Sequence, residues 1–575
     1  MKRKAVSDAV LFVTLVAMAA VGPGSGTARD VLADARIVPH HASTAAPLDA
    51  KFAPGVALQA RVGKRADVEA SGGGSFSVGI LANPAGLDPA VVWDTSSHLV
   101  TSQIYETLVN VEEGGSTPVP GLAESWSVSP DGLTWTFNVR GGVTFHDGSS
   151  FNAAAVAYNL DRWWDPAHPF HVGSFEYFST LFGGFKGDSS CRLSAISTIG
   201  TTQVLMTLTE PFSPLPSMLA MPAFGIASPT AIQTGSLGTA PVGTGPFEFV
   251  VWVAGALVVL EDYPGYWGNG PHLDSLVFQV IPDDDDRFDA LQGNTVQSVG
   301  DLPPSFSAQV ASDPNLKRLW RDSNTVGYLG MNRSHAPLGD PLVQQAIAHA
   351  INRQALLDDF YAAGDQVADQ FLPPAVFGYD PSIVDYSYDP ILAGSLLTLA
   401  GYPAGFATTL SYRDVFRAYL PNPAETAAAI SDDLLAVGIE ATVMLYESGE
   451  FIDKYVAGEL DLFLIGWTQD YAHPDDYFRP ILCDSYLGYG PKDDELCSQL
   501  EVALEEMDFE EQLSIYQWAS RRVHDTLPLL PIVHPRSLLA MRDTVFGLLP
   551  SIGGNELFKD VWIATSWTYL PLVAR

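Results

Sequence analysis

Cationic residues are scarce in this chain: 30 Lys and Arg stand against 66 Asp and Glu over 575 residues, a formal net charge of -36 at pH 7. A nucleic-acid surface needs clustered Lys and Arg to displace counterions from phosphate, so the shortage excludes that class of partner. The simplest consequence of the acidity is solubility in an exposed compartment. A long-range pull on cationic ligands is the weaker reading, because salt screens it within about 10 Å. Cysteine is nearly absent, with three residues, Cys191, Cys483 and Cys497. No run after the first residues approaches the ~20 apolar positions that a transmembrane helix needs. Internal repeats and low-complexity tracts are missing. So are a Gly-x-Ser-x-Gly elbow and a His-Glu-x-x-His helix, which leaves an exported hydrolase without a residue set to name. Gly243-Thr244-Gly245 is followed by Pro246 and no lysine, which excludes a phosphate loop.

What is present suits a large exported globular protein. The chain is 47% hydrophobic and 17% charged, more than one core normally organises, so two or three domains are expected. Met1-Lys2-Arg3-Lys4 is a basic n-region, Ala9 to Val21 an apolar h-region, and Gly26-Thr27-Ala28 offers small residues for cleavage, which reads as a signal peptide over residues 1–28. No cysteine follows the h-region, so a lipid anchor has no attachment residue. Residues 29–71 lack clear periodicity and read as a leader or disordered arm that ends in Ser71-Gly72-Gly73-Gly74. In an exported chain Cys483 and Cys497 are expected to close a short disulfide loop and leave Cys191 unpaired; two free thiols are the alternative.

Helices and strands mix along the whole length, which indicates α/β architecture. Ser75 to Ile80 opens as a strand, and Leu133 to Val139 alternates apolar and polar residues as a half-buried strand does. Asp340-Pro341 and Asp389-Pro390 each place an N-cap before a proline at the first helical position, and the second helix should stop at Gly401. A further helix is expected from about Ala424 to Gly438, followed by a strand from Glu440 to Leu445.

Two charged residues stand out. Asp470 is a lone carboxylate among aromatics in Gly466-Trp467-Thr468-Gln469-Asp470-Tyr471, and Arg417 lies upstream. Facing one pocket, they would suit a ligand with two opposite charges, such as a short peptide whose ammonium meets Asp470 and whose carboxylate meets Arg417. Equally, Asp470 could cap a turn before Pro474 and Arg417 could be a surface residue. Metal sites are weaker candidates. Asp283-Asp284-Asp285-Asp286 lacks the glycine and terminal glutamate of a calcium loop and reads as a solvated turn. Pro166 and Pro169 break the helix that His168 and His171 would need as paired ligands. No cofactor or metal is expected.

An ordered set of motifs resembles one family. Pro120-Gly121-Leu122-Ala123-Glu124-Ser125-Trp126, Asp131 to Phe137 and Arg140 to Gly148 are followed by Gly243-Thr244-Gly245-Pro246-Phe247, Gly265-Tyr266-Trp267-Gly268, Ile281-Pro282-Asp283, Ala346 to Arg353 and Tyr388-Asp389-Pro390. Together they resemble the family 5 extracellular solute-binding proteins that serve dipeptide, oligopeptide and nickel ABC importers, with the dipeptide type most similar.

The resemblance implies a periplasmic-binding-protein type II-like fold of three domains, with two lobes closing over a central cleft. The expected division is residues 72–117, 240–322 and 537–575 for a discontinuous domain I, 118–239 for domain II, and 323–536 for domain III. It further implies that Arg417 and Asp470 bind the peptide termini, that Trp467 and Tyr419 supply flat walls, that Tyr471 lies beside them, and that Tyr105 lines the opposite lobe or packs in its core. The implied protein is a non-catalytic extracytoplasmic monomer that passes its ligand to membrane permease subunits. A nickel chelate or an oligosaccharide is the alternative ligand. Gln344, where the family usually has arginine, and Gly293 to Ser298, where it often has Gly-Glu-Ile-Asp, depart from the pattern away from the proposed clamp.

Overall fold

The computed structural model describes residues 73–112, 115–483 and 488–564. The expected signal peptide and arm, and the last residues of the expected third part of domain I, lie outside that range.

Three of the five sheets among the described residues organise the chain, the other two being two-stranded. A seven-stranded sheet runs in the order Leu316–Trp320, Leu538–Arg542, Ser298–Leu302, Ser75–Ile80, Ser275–Val280, Leu257–Asp262, Phe247–Val253, so it collects strands from widely separated parts of the sequence. A six-stranded sheet runs Gln366–Val367, Leu529–His534, Thr325–Met331, Leu462–Thr468, Phe406–Arg413, Ile439–Tyr446. A four-stranded antiparallel sheet contains Ala123–Val128, Thr134–Val139, Gln203–Leu208 and Leu193–Ile199.

Local chemistry explains many element boundaries. Thr134–Val139 alternates half-buried and buried positions along its length, as its sequence pattern predicts. Helix Pro341–Ala350 starts where the Asp340 carboxylate accepts the Leu342 amide at 2.9 Å, and helix Pro390–Leu399 starts where Asp389 caps Ile391 and Leu392. Gly401 follows the second helix with φ +91°, a conformation that a side chain would strain. The expected helix and strand further on are Pro423–Ala436 and Ile439–Tyr446.

One expectation is corrected. The acidic run at Asp283–Asp286 is a helix N-terminus rather than a free turn. Asp283 accepts the Asp286 amide at 3.0 Å to begin helix Asp284–Gln292, and three carboxylates in the first turn oppose the positive end of the helix dipole. Buried Arg287 then pairs with Asp284 one turn on.

Two chain crossings join the seven- and six-stranded sheets. One runs from Trp320 to Thr325 and the other from His534 to Leu538. They lie side by side: the Arg321 amide donates to the Ser537 carbonyl at 3.0 Å, and Arg536 Nη2 donates to Asp322 Oδ1 at 2.6 Å. Beneath them the buried Arg321 guanidinium forks onto Glu556, with Nε to Oε1 at 2.6 Å and Nη2 to Oε2 at 2.9 Å, and it reaches Asp301 Oδ1 at 2.6 Å. A two-pronged Arg–carboxylate pair of this kind fixes orientation as well as contributing energy.

Candidate functional site

A cavity of about 530 Å³ lies where the three sheets meet, in the size range of small-molecule sites. Asn324 and Thr468 to Ala472 reach it from the six-stranded sheet, Tyr177 and Met221 from the body of the four-stranded sheet, and Tyr266 with the segment around Pro550 from beside the seven-stranded sheet.

Strand Leu462–Thr468 delivers Asp470 to this cavity. The Gln469 amide is held by the Asn324 carbonyl at 3.0 Å, and the Asp470 amide donates to Asp476 Oδ2 at 2.8 Å, so the backbone is anchored on both sides of the turn. The Asp470 side chain is exposed, but the space it faces is the cavity. Loss of bulk water raises its pKa above the ordinary aspartate value, and it has no ion-pair partner among the described residues. Asp476, buried behind it, is raised further, by burial first and by the charge of Asp470 second. Across the cavity Tyr177 is pushed up to about 12, by burial and then by Asp470.

A second carboxylate enters from another wall. Glu106 is 8% exposed and accepts three hydrogen bonds, from Thr244 Oγ1 at 2.8 Å, Trp267 Nε1 at 2.8 Å and Tyr266 OH at 3.0 Å. Burial nevertheless pushes its pKa up to about 7, against the pull of those three donors and of Arg140. Its neighbour Tyr105 is buried and lines the cavity. His98 is a further wall residue whose Nδ1 is unpartnered; burial lowers its pKa to about 4, so the imidazole is neutral at pH 7. Trp93, 67% exposed, adds an aromatic face.

The other expected site residues are placed differently. Tyr471 lines the cavity, is buried, and donates to Asp475 Oδ2 at 3.3 Å. Trp467 does not line it; the indole is half-buried and donates to Asp476 Oδ2 at 3.3 Å, which makes it a prop for the Asp470 turn. Tyr419 is buried and also off the cavity. It sits in a notch where Gly327 and Gly466 face each other on adjacent strands. A Cβ at Gly466 would meet the Tyr419 ring at 2.5 Å, and one at Gly327 would meet the Tyr419 carbonyl at 2.6 Å. Arg417, two residues earlier, is exposed outside the cavity, with Nη1 on the Phe416 carbonyl at 2.8 Å. In this form the structure therefore brings Asp470, Tyr471 and Tyr105 together and leaves Arg417, Tyr419 and Trp467 apart from them. Cys483 and Cys497 are joined by a disulfide, and Cys191 is buried and free.

Glu106, His98, Trp93 and Tyr177 are among the wall residues that sequence reasoning did not select. No local pattern marks Glu106 in the sequence beyond its place next to Tyr105. Its donors Thr244, Tyr266 and Trp267 lie 138 to 161 residues away.

The comparisons with known proteins agree on one family. The profile of the bacterial extracellular solute-binding proteins, family 5, matches residues 117–488. The chain is 31% identical over 503 residues to the dipeptide-binding protein of Escherichia coli, covering 84% of this chain and 93% of that one. It resembles the solved structure of HbpA2 from Haemophilus parasuis with a TM-score of 0.81 and 28% identity, over 85% of this chain and all of that one. For the periplasmic binding protein DppA of Helicobacter pylori in complex with a peptide, the TM-score is 0.64 at 27% identity, over 86% and 98% of the two chains. The α/β architecture is the periplasmic-binding-protein type II-like fold, and the chain belongs to the bacterial extracellular solute-binding proteins of family 5.

Proposed function

We propose that this protein captures short peptides in the cavity and hands them to an ABC importer, with Asp470 receiving the peptide ammonium. The observation that carries this reading is a carboxylate presented to the cavity with no ion-pair partner among the described residues. An ammonium brings three donors and the missing charge, and in a site short of water that pairing is strong. The dipeptide-binding relative and the peptide-bound neighbour support the same ligand class. The seven-stranded sheet with its discontinuous strands is the base (domain I, residues 72–117, 240–322 and 537–575). The bodies of the four-stranded and six-stranded sheets are domain II (118–239) and domain III (323–536). Bending at the paired crossings closes the lobes. The TM-score to the peptide complex is lower than that to HbpA2 at nearly equal identity, as a different lobe angle would produce.

Arg417 lies on the same lobe as Asp470, and a local shift of its segment would bring it to the far end of the peptide and its carboxylate. The protein is exported by its N-terminal signal, acts outside the cytoplasm as a monomer, and catalyses nothing. Calorimetric titration with di- to pentapeptides tests the reading. Asp470→Asn should weaken peptide binding by about 2–5 kcal/mol, the usual loss when one partner of a buried charge pair is removed. Unchanged affinity would take Asp470 out of the site.

A further inference from the structure

The acids of the cavity outnumber what a singly charged ammonium can neutralise. Asp470 and Glu106 both line it, and neither has an ion-pair partner among the described residues. Lys559, a cationic side chain on the same wall, is paired with its neighbour Asp560. His98 adds no charge because its imidazole is neutral at pH 7. Trp93 exposes a π-face, which attracts a cation and not an anion. The cavity thus has a carboxylate to spare beyond Asp470.

We propose that the preferred ligand is dicationic: a short peptide with a Lys or Arg side chain, its terminal ammonium on Asp470 and its side-chain cation against Glu106. This rests on the peptide reading above. The three donors around Glu106 fix the carboxylate without neutralising it. The charged and titratable groups around Glu106 are Arg140, which stacks over the Trp267 ring at 4.4 Å, and Tyr266, with Asp560 beyond it. Arg140 sits behind Trp267 and does not line the cavity, which leaves the cavity side of Glu106 for a cation supplied by the ligand. Because the Glu106 pKa stands near 7 in the empty site, a cation settling there expels the proton that part of the population carries.

Titration calorimetry of the whole chain with Lys-Ala, Ala-Ala and cadaverine tests the proposal. The wild type should bind Lys-Ala at least about tenfold more tightly than Ala-Ala, a difference of about 1.4 kcal/mol. In Glu106→Gln that ratio should collapse to near one. A ratio near one in the wild type, or a ratio that survives in the variant, overturns the proposal. Should the variant fail to fold, proton counting on the wild type decides. Repeated at pH 7 in buffers of different ionisation enthalpy, Lys-Ala should release a larger fraction of a proton than Ala-Ala, and equal release overturns the assignment to Glu106. Cadaverine bound as tightly as Lys-Ala would overturn the peptide as source of the two charges. Equal binding of the two peptides would leave the peptide reading standing, whereas no binding of either would remove that reading and this one with it.

Discussion

His473 shows how a buried residue of this site region ties stability to pH. It packs edge-on to Phe377 and Tyr516, is 2% exposed, and accepts the Asp475 amide on Nδ1 at 3.2 Å. Burial lowers its pKa to about 3, below the 6.5 of a free histidine. Between those values the unfolded chain binds the extra proton and the folded chain does not, so stability falls as pH drops through that window. Urea unfolding at pH 7.5 and pH 4.5 checks this with His473→Leu. The variant should lose a roughly constant amount for the Asp475 amide, while its stability should fall less with acid than that of the wild type. Glu106 has the opposite sign. Its folded pKa of about 7 exceeds the unfolded value of 4.5, so its ionisation costs folding free energy as pH rises between the two. Neither effect is visible in sequence, because a lone His or Glu titrates according to surroundings that distant residues supply.

At the scale of elements, the facing glycines Gly327 and Gly466 carry the most specific prediction. With no side chains there, the Tyr419 ring lies directly on the strand that leads to Asp470. In Gly466→Ala the new methyl would meet ring carbons at 2.5 and 2.6 Å and the Val326 carbonyl at 2.6 Å, and the carbonyl cannot rotate away. The expected cost is about 1–3 kcal/mol of stability from overpacking, measured by denaturant unfolding. Because Tyr419 lies inside the turn in which the Leu420 amide donates to the Arg417 carbonyl at 2.9 Å, peptide affinity should fall with it. Elements themselves were the most legible level of the sequence. Caps at Asp340 and Asp389, the alternation in Thr134–Val139 and the helix-to-strand passage after Pro423 are set by neighbours a few residues apart. The acidic run at Asp283 misled because carboxylates suit a turn and a helix start alike, and only the helix that follows distinguishes them.

For the whole molecule, the joint between the sheets is the sensitive point. Glu556 holds Arg321 under the chain crossing, and the Glu556 segment includes Leu549, Asn555 and Leu557 of the cavity wall. This pair therefore touches the crossing between the sheets on one side and a cavity-wall segment on the other. Glu556→Gln leaves the buried guanidinium with Asp301 as its one counter-charge among the described residues and should cost about 1.5–3 kcal/mol, the range for a charged hydrogen bond, read as a lower unfolding midpoint. The surplus of acidic residues, 66 against 30 basic, lies outside this joint in effect; it favours solubility and draws cations toward the molecule at low salt.

Composition and short-range pattern were enough to determine the α/β class, the strands and capped helices, the acidic character, and the segment in which Asp470 lies. Those properties depend on charge count and on residues within a turn or two of each other. Tertiary structure alone decided that Glu106, Tyr105, His98 and Tyr177 share one cavity with Asp470, and that Arg417 stands outside it in this form. The reason is that a cavity is a relation among surfaces, fixed by how sheets dock and bend about a joint, and residues hundreds of positions apart carry no local mark of which of them will face each other.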